Sequence, residues 1–283
     1  MDFSGWDNLL NLLIAAFWFG AWGMNSRYAY FNSYLRPMHN RFDAVFAFLR
    51  PAFLNAPAQI IALVLVAALL LVRALIVPRD AIWNITLGMP PVVGLVEPFQ
   101  YTPWHMVLAW SCLSIGVFFF KFWSLCCLYL GFTRRPEGQV QTAIHAISAP
   151  FSWIPPIARP PVLLVYGIGL GLLLQYIGGG QPVTLLAGAR ATLAVVAAWV
   201  VLIDLLRWVV LIVIVGHWIG MGTGAQNLGW MCSEWLDHLL GPLRHYPIRF
   251  GMFDITPIVF FFGLGVVQYL ITQVLVGAAS MLR

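Results

Sequence analysis

Six apolar stretches constrain this chain more than anything else in it. They lie near 9–25, 57–77, 104–132, 161–178, 191–219 and 256–279, and they carry almost no ionisable side chains. At a rise of about 1.5 Å per residue, a helix of this length crosses most or all of a hydrocarbon core about 30 Å thick. In lipid the backbone N–H and C=O groups of each span must be satisfied within the segment, so each stretch is expected to be helical. The composition agrees, at 61% hydrophobic and 9% charged, where soluble domains are about a quarter charged. Water-soluble folding is excluded, and the expected fold class is an all-α polytopic membrane protein with six transmembrane helices.

The breaks between the stretches carry turn residues: "VPRD" and "GMPP" after the second, "IGGGQP" after the fourth, "GMGTG" after the fifth. The opening "MDFSGWDNLLNLLIAAFWFGAWG" lacks the basic start and small-residue cleavage site of a signal peptide, and reads as a retained first span. Loops after the odd-numbered helices hold Arg27, Arg36, Arg41, Arg50, Arg134, Arg135, Arg159, Arg244 and Arg249. The opposite side holds Arg73, Arg79, Arg190 and Arg283. Nine against four makes the odd-numbered loops cytoplasmic and both termini periplasmic. Trp83, Trp104, Trp153 and Trp230 fall where interfacial aromatics belong.

The surplus of 15 basic over 10 acidic residues is too small and too dispersed for nucleic acid. It suits arginine at anionic lipid headgroups. Fourteen of the fifteen basic residues are Arg, with Lys121 the exception, which points to a G+C-rich bacterial genome and hence a bacterial inner membrane. Cys112, Cys126, Cys127 and Cys232 form neither CxxC nor metal-ligand spacing, and read as apolar free thiols.

One arrangement recurs three times. An odd-numbered helix is followed by a short amphipathic stretch, then prolines, then an even-numbered helix. In the first copy Phe42, Val45, Phe46, Leu49 and Phe53 share a helical face; in the second Val140, Ile144, Ile147 and Phe151 do so. In the third the apolar face is Trp235, Leu236, Leu239, Leu240 and Leu243, with Glu234, Asp237 and His238 facing away. Such stretches are too short to span and are expected to lie in the interface plane. Pro51, Pro150 and Pro242 end them, and Pro57, Pro161 and Pro257 open the even-numbered helices, where a missing N–H costs nothing. Two of those helices also share Gly169-Leu-Gly171 with Gln175-Tyr176, and Gly263-Leu-Gly265 with Gln268-Tyr269. Small residues of this kind allow close helix approach. Each unit holds two spans, so the units repeat in parallel, with boundaries at 1–80, 81–183 and 184–283.

Chemistry-bearing residues are few. Lys121, Asp204 and Arg207 are the ionisable groups well inside predicted spans. Each such charge costs about 2.5–3.5 kcal/mol at bilayer depth on insertion scales, which makes it a functional candidate. Asp204 and Arg207 are three residues apart on one helical face and can neutralise each other. They suit an inter-helix clamp or, with Lys121, an ion path. His105 and His217 sit at opposite ends of their helices, and His39, His145, His238 and His245 lie in cytoplasmic segments, so no pair suits a b-type haem. "GMGTGA" at 220–225 lacks the strand and the Lys-Ser/Thr of a phosphate loop. No catalytic, cofactor-binding or metal-ligating set is expected, and no enzymatic activity.

The stretch "DHLLGPLRHYP", followed by "FDITPIV", resembles the signature of the YggT/YlmG family of small polytopic membrane proteins. On that pattern Asp237, Pro242, Arg244, Pro247, Asp254, Thr256 and Pro257 take the signature positions. His238 stands where the family has a proline, and the Pro242–Pro247 spacing is one residue short. The resemblance covers 190–279, with the earlier copies similar in architecture alone. It implies a role in assembly of membrane complexes, including haem attachment in a plastid cytochrome, or in division and envelope organisation, and it brings no catalytic residues. Asp254-Ile-Thr256-Pro257 reads as a helix start with an acidic cap. Arg244 and Arg249 sit at phosphate depth, or Arg244 pairs with Asp254.

The expected function is therefore a structural, assembly or accessory subunit of a larger membrane complex. Thirteen Trp and twenty Phe are more than six helices need among themselves, and imply contact with protein subunits, pigment or lipid. The alternative is a small channel or transporter using Asp204, Arg207 and Lys121.

Overall fold

A computed structural model describes the chain except for residues 1–3, 77–81, 87–93, 99–103, 131–137, 180–183, 224–225, 242, 244–246, 251–252 and 282–283. It is a helical bundle. Among the described residues, five helices are long and apolar enough to cross a membrane, over Ala58–Leu75, His105–Leu130, Pro156–Ile177, Leu185–Gly220 and Thr256–Met281. The first expected span is shorter, an apolar helix over Leu9–Met24. Its last turn is a π-helix, Gly20–Met24, continuing α1 (Ser4–Phe19). A Cβ at Gly20 would lie 2.5 Å from the Phe42 ring, and one at Gly23 would lie 2.9 Å from the Ala146 carbonyl oxygen. Two bulky neighbours press on the two glycines of this turn.

After α1 come α2 (Arg27–Phe31), α3 (Arg36–Leu49) and a 3-10 turn, Arg50–Phe53, leading into α4 (Ala58–Ile76). Pro57 opens α4, its carbonyl accepting from the N–H groups of Ile60 and Ile61. α1 and α4 run antiparallel: Arg73 bonds Asn11 at one end and Gln59 bonds the Ala21 carbonyl at the other. In α3, Phe42, Phe46 and Leu49 pack inward with Phe53, as the periodicity predicts. Val45 does not: it is exposed, along with Met38 and Phe48.

The segment before α5 (Trp104–Leu130) corrects the all-helical expectation. Two strands, β1 (Ile82–Thr86) and β2 (Gly94–Pro98), pair antiparallel in register Ile82 with Pro98 to Thr86 with Gly94. α6 (Gly138–Ile147) and two 3-10 turns, Phe151–Trp153 and Pro156–Ala158, then lead into α7 (Arg159–Gly179). Val140, Ile144 and Phe151 are buried, on the predicted face. α5 and α7 are antiparallel, with Gly116 against Tyr166 and Leu170, and Phe120 against Gly167.

α8 (Leu185–Thr223) has 39 residues, about ten more than the predicted span. At about 1.5 Å per residue it is roughly 58 Å long, so it outruns a 30 Å hydrocarbon core unless steeply tilted. α9 (Gln226–Leu240) folds back along its second half, where Gly216 faces the Cys232 sulfur. A small hairpin, β3 (Arg249–Phe250) with β4 (Phe253–Asp254), precedes α10 (Thr256–Met281). α10 runs antiparallel to α8: Leu275 packs near Val200, Gln268 meets Arg207, and Phe260 and Phe261 reach Val210 and Ile214.

The largest buried cluster joins α5, α7 and α8 through Trp110, Phe120, Leu163, Leu170, Leu174 and Val195. Lipid is as apolar as these side chains, so close fit and hydrogen bonds, more than apolar burial, fix helix neighbours in a membrane. Gly167 shows the fit: a Cβ there would sit 2.7 Å from both Phe120 and Val195. The glycines singled out beforehand divide, with Gly265 lying against Arg207. Gly169 and Gly263 face open space.

Candidate functional site

The intramembrane pair lies in the seam between α8 and α10. Arg207 Nη1 donates to Asp204 Oδ1 at 3.2 Å and to Gln268 Oε1 at 3.2 Å. Its guanidinium carbon stands 4.8 Å from the centroid of the Phe261 ring, a cation–π distance. A Cβ added to Gly265 would approach the guanidinium to 3.1 Å, so the small residue makes the seat. Gln268 and Gly265 thus hold the arginine. The aspartate looks outward: its side chain is 49% exposed against 26% for Arg207.

Lys121 does not join this pair. Trp199 donates through Nε1 to Ser124 Oγ at 3.1 Å, and Phe120 and Val195 meet over Gly167, so α5 and α8 run parallel with Ser124 level with Trp199. On that register Lys121 and Asp204 are separated by about eight residues, on the order of 12 Å along the axis. The partly exposed Lys121 lies on a different level of the bundle.

Two further arginines are buried in helices: Arg73, inside the second predicted span and counted to its outer side, and Arg159, expected from the sequence in a loop. Arg73, in the last turn of α4, is fully buried. It donates to Asn11 Oδ1 at 3.0 Å and to Ser114 Oγ at 3.4 Å, tying α4 to α1 and α5. Arg159, the first residue of α7, is 2% exposed and donates to the carbonyls of Ile154 (3.0 Å) and Ser152 (3.0 Å). It clips the proline-rich turn before α7 to that helix. His145, nearby on α6, has its proton affinity pushed down, first by burial and then by the Arg159 charge.

The turn between α2 and α3, the end of α5 and α9 meet at the N-terminus of α6. Asn32 Nδ2 donates to the Gln139 carbonyl at 2.6 Å, and the Ser33 N–H donates to Gln139 Oε1 at 3.0 Å. From the other side, Glu234 Oε1 accepts the Val140 N–H at 3.0 Å, an acidic side chain of α9 satisfying an open donor of α6. His238 Nε2 donates to the Tyr129 carbonyl at 2.6 Å, so its Nδ1 is the acceptor facing the Gln141 amide at 2.5 Å. Glu234 and His238 therefore face inward, contrary to the helical-wheel expectation, while Asp237 is exposed. Tyr34 stands at the same junction. Its hydroxyl pKa is raised by burial and then by the charge of Glu234.

Of the residues in the third bend, Pro242 and Arg244 lie outside the described residues, and Arg249 is described through its place in β3. Pro247 is exposed. Thr256 and Pro257 are buried at the start of α10. Asp254 Oδ1 accepts the Thr256 N–H at 2.9 Å, and Thr256 Oγ1 accepts the Ile248 N–H at 2.8 Å. Those two bonds, with the Ile255 N–H to Ile248 carbonyl bond at 3.0 Å, close the bend across β3 and β4. The proline-punctuated stretch is thus a capped helix entry built on a small hairpin.

Among the described residues no group of three or more His, Cys, Asp and Glu side chains converges as a metal-binding set. No family model matches the chain, and no curated protein or solved structure matches it either. What the sequence could not show was the α6 hub. Gln139 and Gln141 are neutral and unremarkable in composition, and their partners lie 97 to 107 positions away.

Proposed function

We propose that this protein is a non-catalytic, six-span membrane scaffold of three parallel helical hairpins, acting as an assembly or accessory subunit of a larger complex in a bacterial inner membrane. Both termini are then periplasmic, the three bends lie at the cytoplasmic face, and anionic headgroups surround their arginines. One observation carries the reading. The polar groups within the apolar helices are spent on tying helices together: Arg73 to Asn11 and Ser114, Arg207 to Gln268, Trp199 to Ser124. The outside remains apolar, with 6% of the α10 span buried within the chain. Kinship with YggT/YlmG proteins, whose signature the segment from Asp237 to Pro257 resembles, would fit such an assembly role.

The test is extraction in mild detergent followed by native mass spectrometry and liposome flux assays. A stoichiometric partner subunit and no flux are expected; flux without a partner would sink the reading. The alternative is a channel, favoured by the half-exposed Asp204 carboxylate. It predicts ion or proton flux that Asp204→Asn abolishes. The separation of Lys121 from Asp204 along the bundle weighs against a path using all three charges.

A further inference from the structure

We propose that the hollow between the π-turn of α1, α3 and the start of α4 seats a zwitterionic phospholipid headgroup, phosphoethanolamine, with Asp43 receiving the ammonium and Arg50 the phosphate. The hollow has a volume of about 230 Å³ counted to its open mouth, and Met24, Asn25, His39, Asp43, Arg50 and Ala58 are among its lining residues. Ala58 fixes its depth in the bilayer. It is the first residue of the apolar α4 span, so the hollow opens where hydrocarbon gives way to headgroups. The apolar surface that acyl chains need begins close by, with Ile60, Leu63 and Val64 exposed on α4.

His39, Asp43 and Arg50 follow one another at intervals of four and seven, so one face of α3 and of the turn continuing it carries all three. Among the described residues, no hydrogen bond or ion pair engages the Asp43 carboxylate or the Arg50 guanidinium. Two helical turns separate them, on the order of 10 Å, and they do not pair with each other. Opposite charges held apart around one hollow select a short ligand carrying both signs, and each of its ends then gains a charge-assisted hydrogen bond. Phosphoethanolamine is such a ligand: two carbons join its ammonium to its phosphate. A purely anionic headgroup would leave Asp43 unanswered, and the ammonium of choline has no N–H to donate. His39 adds a second acceptor. Its Nδ1–H donates to the Met24 carbonyl, which leaves Nε2 as the accepting nitrogen of the neutral ring. Arg50 is held from behind, its carbonyl accepting from the N–H groups of both Leu54 and Asn55. Those two residues are left-handed, with φ of 52° and 58°, a conformation that side chains other than glycine adopt only at a cost.

The proposal rests on α4 crossing the membrane and on no other part of the scaffold reading. Flux, or the lack of a partner subunit, would sink that reading and leave lipid retention as it is. The experiment is native mass spectrometry of the purified full-length protein, titrated with palmitoyl-oleoyl phosphatidylethanolamine, phosphatidylcholine and phosphatidylglycerol at equal concentration. Phosphatidylethanolamine is expected to be retained about fivefold more than either other lipid, the upper end for one partly exposed ion pair. Asp43→Asn should abolish that preference. Arg50→Gln should lower retention of phosphatidylethanolamine and phosphatidylcholine alike, since each presents its phosphate there. Neither substitution removes a hydrogen bond or ion pair of these side chains within the described chain, and folding is checked by the thermal midpoint in lipid-free detergent. No retained lipid, equal retention of the three, or a preference untouched by Asp43→Asn would overturn the assignment. So would sn-glycero-3-phosphoethanolamine held as tightly as the intact lipid, which would make the ligand a soluble one.

Discussion

Arg73 and Arg207 are both set in apolar helices, yet they are handled in opposite ways. Arg73 is fully buried, on neutral oxygens of α1 and α5. Arg207 sits at the rim, pairs with a half-exposed carboxylate and borrows an amide from α10. The first is a closed clamp whose work ends inside the chain. The second is open, and the carboxylate it holds faces outward from the bundle. Polar groups in a membrane helix thus divide by where their remaining hydrogen-bonding capacity points, and that division separates internal bracing from an interaction surface.

The comparison can be broken most directly at Arg73. Arg73→Met removes hydrogen bonds to two other helices and should cost about 3 kcal/mol, read as a lowered thermal midpoint in detergent. Arg207→Met should cost less than half as much, because the half-exposed Asp204 side chain can turn outward. Equal losses would mean that the two arginines play the same part.

Glycine substitutions come next in size. Gly167→Val forces side-chain atoms between Phe120 and Val195, at a cost of about 2 kcal/mol. Gly169→Ala and Gly263→Ala, which meet open space, should stay within about 0.5 kcal/mol. Comparable thermal shifts at all three positions would contradict the close contact at Gly167.

Arg159 sharpens the comparison through a smaller, pH-dependent effect. His145 binds a proton less well in the folded chain than its ordinary value of about 6.5, because of burial and then Arg159, with the Tyr28 ring packed beside it. Protonation therefore favours the unfolded chain. The stabilising contribution is complete above about pH 6.5 and is lost as the pH falls through that value towards the lower folded one. His145→Gln should flatten the fall in thermal midpoint between pH 7 and pH 5; an unchanged slope would remove His145 from the account.

Much of the fold could be read from the sequence, for a physical reason. A span must be apolar along its whole length and helical in its backbone, so α4, α5, α7, α8 and α10 announce themselves. The Asp204–Arg207 pair was legible because its members are three residues apart on one helix. The Arg73 clamp was not, since Asn11 and Ser114 are neutral and lie 62 and 41 positions away. Glu234 and His238 misled for a related reason. A helical wheel sorts polar from apolar faces but cannot register a second polar surface, here the α6 N-terminus, packed against the polar side. The β1–β2 hairpin lies in a loop whose prolines and glycines read as simple breaks.

The central claim is that three hairpin units stand side by side with their bends on the same face of the membrane. Single cysteines at Ala47, Ile157 and Leu243, exposed in the first, second and third bends, can be probed with a membrane-impermeant thiol reagent in intact cells and in inverted vesicles. The account predicts labelling of all three from the cytoplasmic side, with a cysteine at Leu185, exposed at the opposite end of α8, labelled from the other. Labelling of any one bend from the periplasmic side would contradict it.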